Sequence, residues 1–193
     1  SFVKACRTNI DENGVLTLPN FLNSEVIKSL VDEGSAAQHL AFFSNSTHNV
    51  YLTPKNSEYP DDHVFNRQVI SSKGCITDDQ VPENSPLKIL YNSEVFRNFL
   101  ASVLNEEKLY EYADPMSSIN VHYASDGEEL GWHFDNSSFA ITLLLQAPEA
   151  GGSFEYIKDF RDSEAGEMNF EGVGSLLDGS PKPDVLKVEP GTL

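Results

Sequence analysis

The sequence predicts an α+β chain in which a helical N-terminal half packs on a β-sandwich or barrel supplied by the C-terminal half. Three observations carry this. Apolar residues recur at helical spacing after Ser24 and again after Ser93. From Ile119 onward the pattern changes to short alternating or continuous apolar runs, with Gly and Pro between them. The chain has 193 residues, enough for one sizeable core and one domain spanning residues 1–193.

Val15-Leu16-Thr17-Leu18-Pro19 alternates and reads as a short strand, followed by the turn-prone Asn20. Ser24 then reads as an N-cap, with Val26, Ile27, Leu30 and Val31 on one helical face and Gly34 as an interruption that need not end the helix. Ser93 reads as a second N-cap. After it Val95, Phe96, Phe99, Leu100, Val103 and Leu104 form an apolar stripe expected to face the core. Ile119 to Tyr123 alternates as a strand. Phe139 to Leu145 is a nearly continuous apolar run, typical of a strand buried on both faces. Gly151-Gly152 breaks the chain before a strand at Ser153 to Ile157. The stretch Lys158 to Pro183 is polar and Gly-rich and reads as a long insert or lid. Asp184 to Val188 reads as another strand, and Pro190-Gly191 as a turn.

The net charge of −17 disfavours nucleic acid, whose phosphates would repel the chain. No apolar run is long enough to span a bilayer. No signal peptide is visible, although a chain opening at Ser1 leaves room for a removed leading segment. Cys6 and Cys75 show neither CxxC spacing nor the density of a disulfide scaffold, so a reduced, cytoplasmic setting is expected, with a Cys6–Cys75 bridge left open.

The chemistry concentrates in INVHYASDGEELGWHFDNSSFAITLLLQAPEAGGSFEY, residues 119–156. His133 and Asp135 lie two residues apart and so project from one side of an extended chain. One imidazole and one carboxylate on one face are two of the three protein ligands of the facial triad that holds non-haem Fe(II). An HxD triplet alone is common and often only a surface ion pair. Here Tyr123 lies ten residues upstream on the preceding strand, Asp126-Gly127 supplies a turn between them, and an apolar run and a Gly-Gly turn follow.

This arrangement resembles the Fe(II)- and 2-oxoglutarate-dependent dioxygenases, and within them the stand-alone halogenases and hydroxylases of free amino acids such as lysine. The stretches that carry the resemblance are GWHFDNSSFAITLLLQAPEAGG, SSKGCITDDQVP (71–82) and YADPMSSINVHY (112–123). The resemblance implies a double-stranded β-helix, a cupin-like jelly roll, with the N-terminal helices packed on its sheet. It implies Fe(II) held by His133 and Asp135, 2-oxoglutarate as cofactor, O2 as co-substrate and a small amino acid as substrate. Oxidative decarboxylation of 2-oxoglutarate to succinate and CO2 would drive oxidation of an unactivated C–H bond. Halogenases of this group replace the metal carboxylate with a small residue to free a position for chloride. Asp135 keeps the carboxylate, which favours hydroxylation. A protein-directed hydroxylase of the prolyl type and a non-catalytic binding protein on the same fold are the alternatives.

Further residues take weaker readings. Tyr123 matches a family position whose phenol bonds 2-oxoglutarate, with a core tyrosine the equal alternative, and Thr142 is a second cofactor candidate against a plain strand threonine. His122 points to the face opposite Tyr123, and Asn120 shares His122's side, so both are candidates to touch substrate. Asn136 follows the metal Asp and reads either as a substrate contact or as a turn residue. Trp132, the only tryptophan, either walls the pocket or packs in the core. His39, His48 and His63 have no metal-ligand spacing, and His48 has a substrate-side role open to it. The family's distal metal His and its carboxylate-binding Arg have no match in residues 1–193, so the expectation is of a domain incomplete at its C-terminus.

Overall fold

The computed structural model describes residues 1–114 and 116–193, so Pro115 of the YADPMSSINVHY stretch lies outside the described residues. The architecture is mixed α/β with two small antiparallel sheets. Helix α1, Phe2–Asn13, starts on a Ser1 cap and ends at Gly14, whose backbone is left-handed at φ 73°. Helix α2, Ser24–Ala37, runs through Gly34. Its cap is Asn23, one residue earlier than Ser24, because the Asn23 carboxamide accepts the Val26 N–H. Strand β1 is Phe42–His48 and strand β2 is Val69–Thr77. Helices α3, Pro86–Tyr91, and α4, Glu94–Leu104, start on Ser85 and Ser93 as caps. Strand β3 is Asn120–Tyr123, β4 is Phe154–Tyr156, helix α5 is Phe170–Leu177 and β5 is Asp184–Leu186.

The larger sheet has the order β1-β2-β3, with His48 opposite Val69, Cys75 opposite His122 and Gly74 opposite Tyr123. Paired residues share a face, so the sheet has two distinct sides. One carries Ser72, Gly74 and Ile76, all buried, and packs under α2 through Leu30 and Val121. The other carries Ser71, Lys73 and Cys75 of β2 with His122 and Asn120 of β3. Helices α1 and α4 lie together, with Phe2 stacked on Phe99 at 6.0 Å. Helical packing on a sheet therefore matches expectation, and a jelly-roll core does not emerge from the described strands.

Three expectations need correction. The Val15–Pro19 segment is not a strand. Among the described residues its cross-chain backbone bonds are the reciprocal pair between Leu18 and Leu193, at 2.8 and 3.2 Å, too few to make a ladder. Phe139–Leu145 is extended but is not a strand buried on both faces. Phe139 and Ile141 are exposed, and the backbone bonds seen are those of Leu144 to Gly191 and Thr192. Val95, read as part of the core stripe, is 81% exposed, although Ala101 and Val103 at the other end of α4 are buried.

The stretch Lys158 to Pro183, read as a long insert or lid, is packed on the core. It contains α5, whose Val173 is fully buried beside Val50 and Tyr51. The Tyr51 hydroxyl donates to Met168 O at 2.7 Å, and Arg67 binds Asp178 at 2.7 Å and Leu177 O at 3.1 Å. Lys158 donates to the Asp11 carbonyl, near the C-terminal end of α1, where a cation is favoured. Cys6 and Cys75 are both free. No helix among the described residues is long and apolar enough to cross a membrane.

Candidate functional site

Two separate attachments hold the HFD triplet. Upstream, residues 129–131 are stitched to β2. Ser72 N–H donates to Glu129 O at 2.7 Å, and Glu129 N–H donates back to the Ser72 hydroxyl at 3.2 Å. Gly131 N–H donates to the Ser71 hydroxyl at 2.9 Å. Gly131 fits there because it has no side chain: a Cβ would lie 2.6 Å from Ile70 O and 2.7 Å from Val69 Cγ2. Downstream, Phe134 N–H donates to Val50 O at 2.9 Å, and the Phe134 ring stacks on Tyr51 at 5.6 Å. Arg161 covers the Phe134 ring at 4.0 Å. Phe134 thus faces the core, and its neighbours in the triplet face outward.

His133 and Asp135 come together, as their spacing predicts: His133 Nε2 lies 3.4 Å from Asp135 Oδ1. His133 Nδ1 lies 2.8 Å from Gly131 O. A carbonyl only accepts, so Nδ1 carries the proton, and in the neutral ring Nε2 keeps its lone pair on the Asp135 side. An imidazole whose far nitrogen is tied to a backbone carbonyl is the arrangement of metal-ligating histidines generally. The donor chemistry therefore fits a divalent transition metal at two positions. Among the described residues no group of three or more His, Cys, Asp and Glu is gathered to complete such a site.

His48 lies next to the pair, its ring edge-on to His133 at 6.1 Å between centroids. Its Nδ1 is 2.9 Å from Asn49 O and its Nε2 is 2.7 Å from the Ser71 hydroxyl. The Ser71 bond places His48, and through the ring contact His133, beside the face of the sheet that bears Ser71, Lys73, Cys75 and His122.

Further along that face Lys73 Nζ lies 3.4 Å from His122 Nε2. Burial, and then the Lys73 charge, lower the His122 pKa below its ordinary value, which favours the neutral ring as acceptor of the ammonium proton. Asn120 Oδ1 accepts from the Cys75 thiol at 3.4 Å. Burial pushes the Cys75 thiol up, against the opposing pull of Lys73. Among the described residues Lys73 makes no ion pair, in a chain with 30 acidic residues. Lys73 was not singled out in the sequence. The signal that marks it is its place in the β2 alternation with Ser71 and Cys75, which appears only once β2 is known.

The remaining candidates are dispersed. Tyr123 lies on the opposite face, where its hydroxyl donates to Gly34 O at 2.7 Å. Trp132 packs against the Val50, Tyr51 and Val173 core. Asn136 and Thr142 are exposed. His39 bonds Ala36 O, and His63 stacks on Tyr59 at 4.3 Å, so both have local structural partners.

A paired imidazole and carboxylate lie beside a polar sheet face, and the comparison with protein families supplies the class. The Halogenase D family model matches residues 1–169, and the chain belongs to that family. The match includes all three stretches on which the resemblance rests, and it supports a halogenase-like enzyme. It gives no ground for setting halogenation aside. No curated protein and no solved structure matches.

Proposed function

We propose that this chain is an Fe(II)- and 2-oxoglutarate-dependent oxidase of a free amino acid, built on a jelly-roll-related fold, with hydroxylation of a C–H bond as its reaction. The observation that carries the reading is the His133–Asp135 pair, with Nδ1 tied to Gly131 O and Nε2 turned to Asp135 at 3.4 Å. His133 and Asp135 would hold the iron, and the bound iron and 2-oxoglutarate would supply the oxidising chemistry. On the same sheet face Lys73, assisted by His122 and Asn120, would bind the carboxylate of a small-molecule ligand, since its ammonium has no acidic partner among the described residues.

A second reading has one specific observation behind it. The family is described as a halogenase family, so chlorination of the same substrate class is the competing reaction. Asp135 favours hydroxylation, because a carboxylate on the metal occupies the position a halide would need. The test supplies the full chain with Fe(II), 2-oxoglutarate, O2 and a panel of free amino acids, with and without chloride. The expected result is succinate formation with one amino acid, and a product carrying added oxygen whatever the chloride concentration. A chlorine-bearing product without a hydroxylated one would transfer the assignment to halogenation. No succinate with any amino acid would refute the proposal.

A further inference from the structure

We infer that His48 and Ser71 are positioning residues for His133, acting through the Gly131 backbone. The inference rests on reading His133 as a metal ligand and adds to it residues that the HxD pattern does not contain.

The bonds form one directed chain. Asn49 O accepts from His48 Nδ1–H at 2.9 Å, which leaves Nε2 of the neutral ring as an acceptor. The Ser71 hydroxyl gives its proton to that nitrogen at 2.7 Å, which turns its lone pairs to the Gly131 N–H at 2.9 Å. Gly131 O then accepts His133 Nδ1–H at 2.8 Å. Every donor meets an acceptor, and moving the proton of the neutral His48 ring to Nε2 would set its bare Nδ1 lone pair against Asn49 O. The origin of the chain is rigid. Asn49 is fully buried, and its carboxamide closes on Thr53 through bonds of 3.1 and 3.3 Å.

The device answers a conflict at residue 131. Close approach to β2 demands glycine, as the 2.6 Å gap to Ile70 O shows. Glycine is also the residue least able to fix its own φ and ψ. The Ser71 hydroxyl holds the N–H, which pins residue 131 against β2 and narrows the directions its carbonyl can take. Without that carbonyl the His133 proton is free to move to Nε2, which removes the lone pair a metal would use.

The test reads the His133 ring directly. The ¹⁵N-labelled full chain, without metal, is examined by long-range ¹H–¹⁵N correlation at mildly alkaline pH in the wild type, Ser71→Ala and Ser71→Thr. The expected result is a single Nδ1–H tautomer in the wild type and in Ser71→Thr, which keeps the hydroxyl, and a mixture of tautomers in Ser71→Ala. Mn(II) affinity, followed by electron paramagnetic resonance, should fall about 10- to 100-fold in Ser71→Ala and stay near wild type in Ser71→Thr. Should Ser71→Ala not fold, His48→Phe breaks the same chain one bond further away and is read in the same way. A pure Nδ1–H tautomer in the variant lacking the hydroxyl or the imidazole overturns the inference. If the wild type binds no Mn(II), the metal reading falls, and the tautomer comparison still decides whether His48 and Ser71 position His133.

Discussion

Replacing Gly131 by alanine should damage stability and metal binding together. The added Cβ would sit 2.6 Å from Ile70 O, where ordinary contact begins near 3.4 Å, so the 129–131 segment must move off β2 by about 0.8 Å. The obstacle is backbone, not the end of a flexible side chain, and it cannot swing aside. Two bonds are strained by that movement, Gly131 N–H to Ser71 Oγ and Ser72 N–H to Glu129 O. Each is worth about 1 kcal/mol, and overpacking adds about 1–3 kcal/mol. Reduced freedom of the unfolded chain returns about 0.4–1 kcal/mol. The net loss is about 2–4 kcal/mol, which for a chain of 193 residues lowers Tm by roughly 5–15 °C. Calorimetric melting of both proteins measures this, and Mn(II) titration well below Tm reads the site, where weaker binding is expected. A Gly131→Ala protein that melts within about 1 °C of wild type and binds Mn(II) equally would refute the close-approach reasoning.

The remaining predictions concern the sheet face and the core beneath the site. Lys73→Met should raise the His122 pKa, because the Lys73 charge is one of the two causes that lower it, and should weaken binding of a carboxylate ligand. Following His122 by NMR titration checks the first effect, and calorimetry with 2-oxoglutarate and with the substrate amino acid shows which carboxylate Lys73 serves. Since the folded-state pKa of His122 lies below its ordinary 6.5, the folded protein takes up this proton less readily than the unfolded chain. Stability from this group is therefore present above pH 6.5 and is lost as pH falls through the depressed value. Lys73→Met should shrink that acid loss, and an unchanged pH–stability curve would count against it. Val173→Ala removes two methyl groups from a fully buried position. It should cost about 2 kcal/mol once the better helix propensity of alanine is counted, read as a drop in Tm with m unchanged in denaturant titration.

The sequence revealed structure where a local period was clean and hid it where packing replaced the period. The stripe of α4 and the strand at Asn120–Tyr123 are visible from spacing alone. β2 is not, because its buried face is Ser72, Gly74 and Ile76 rather than a run of large apolar residues. Gly74 is small for a reason that no window of sequence contains: the Phe43 ring of β1 lies where its Cβ would be. α5 went unread because Gly172, Gly174 and the polar flanks disguise an eight-residue helix, while the buried Val173 that justifies it meets Val50 and Tyr51 from far away in the chain. The site divides in the same way. His133 and Asp135 are two residues apart and needed no fold to be linked. His48, Ser71 and Gly131 are joined only by strand register and by a bridge between distant segments, so their connection belongs to tertiary structure.

Asp135 is where the chain and its family description pull apart, and the geometry gives the disagreement a physical form. The resemblance implies that a halogenase leaves open the metal position that a carboxylate would fill. Here Asp135 sets an acid 3.4 Å from Nε2 of His133, with the ring turned toward it by the bond to Gly131 O. Asp135 is itself more than half exposed, its side chain at 58%, so burial does not hold it there, and no ion pair to a Lys or Arg holds it among the described residues. An exposed carboxylate is open to a cation from solvent. Among the described residues its printed contact is the one to His133, whereas Phe134 between the two does the structural work through Val50 and Tyr51. The triplet thus separates its tasks by face, anchoring inward and donor chemistry outward. On that division, replacing Asp135 with a small residue would remove an outward donor and leave the Phe134 anchor intact, so the product assay with and without chloride can be run on one scaffold with and without the carboxylate.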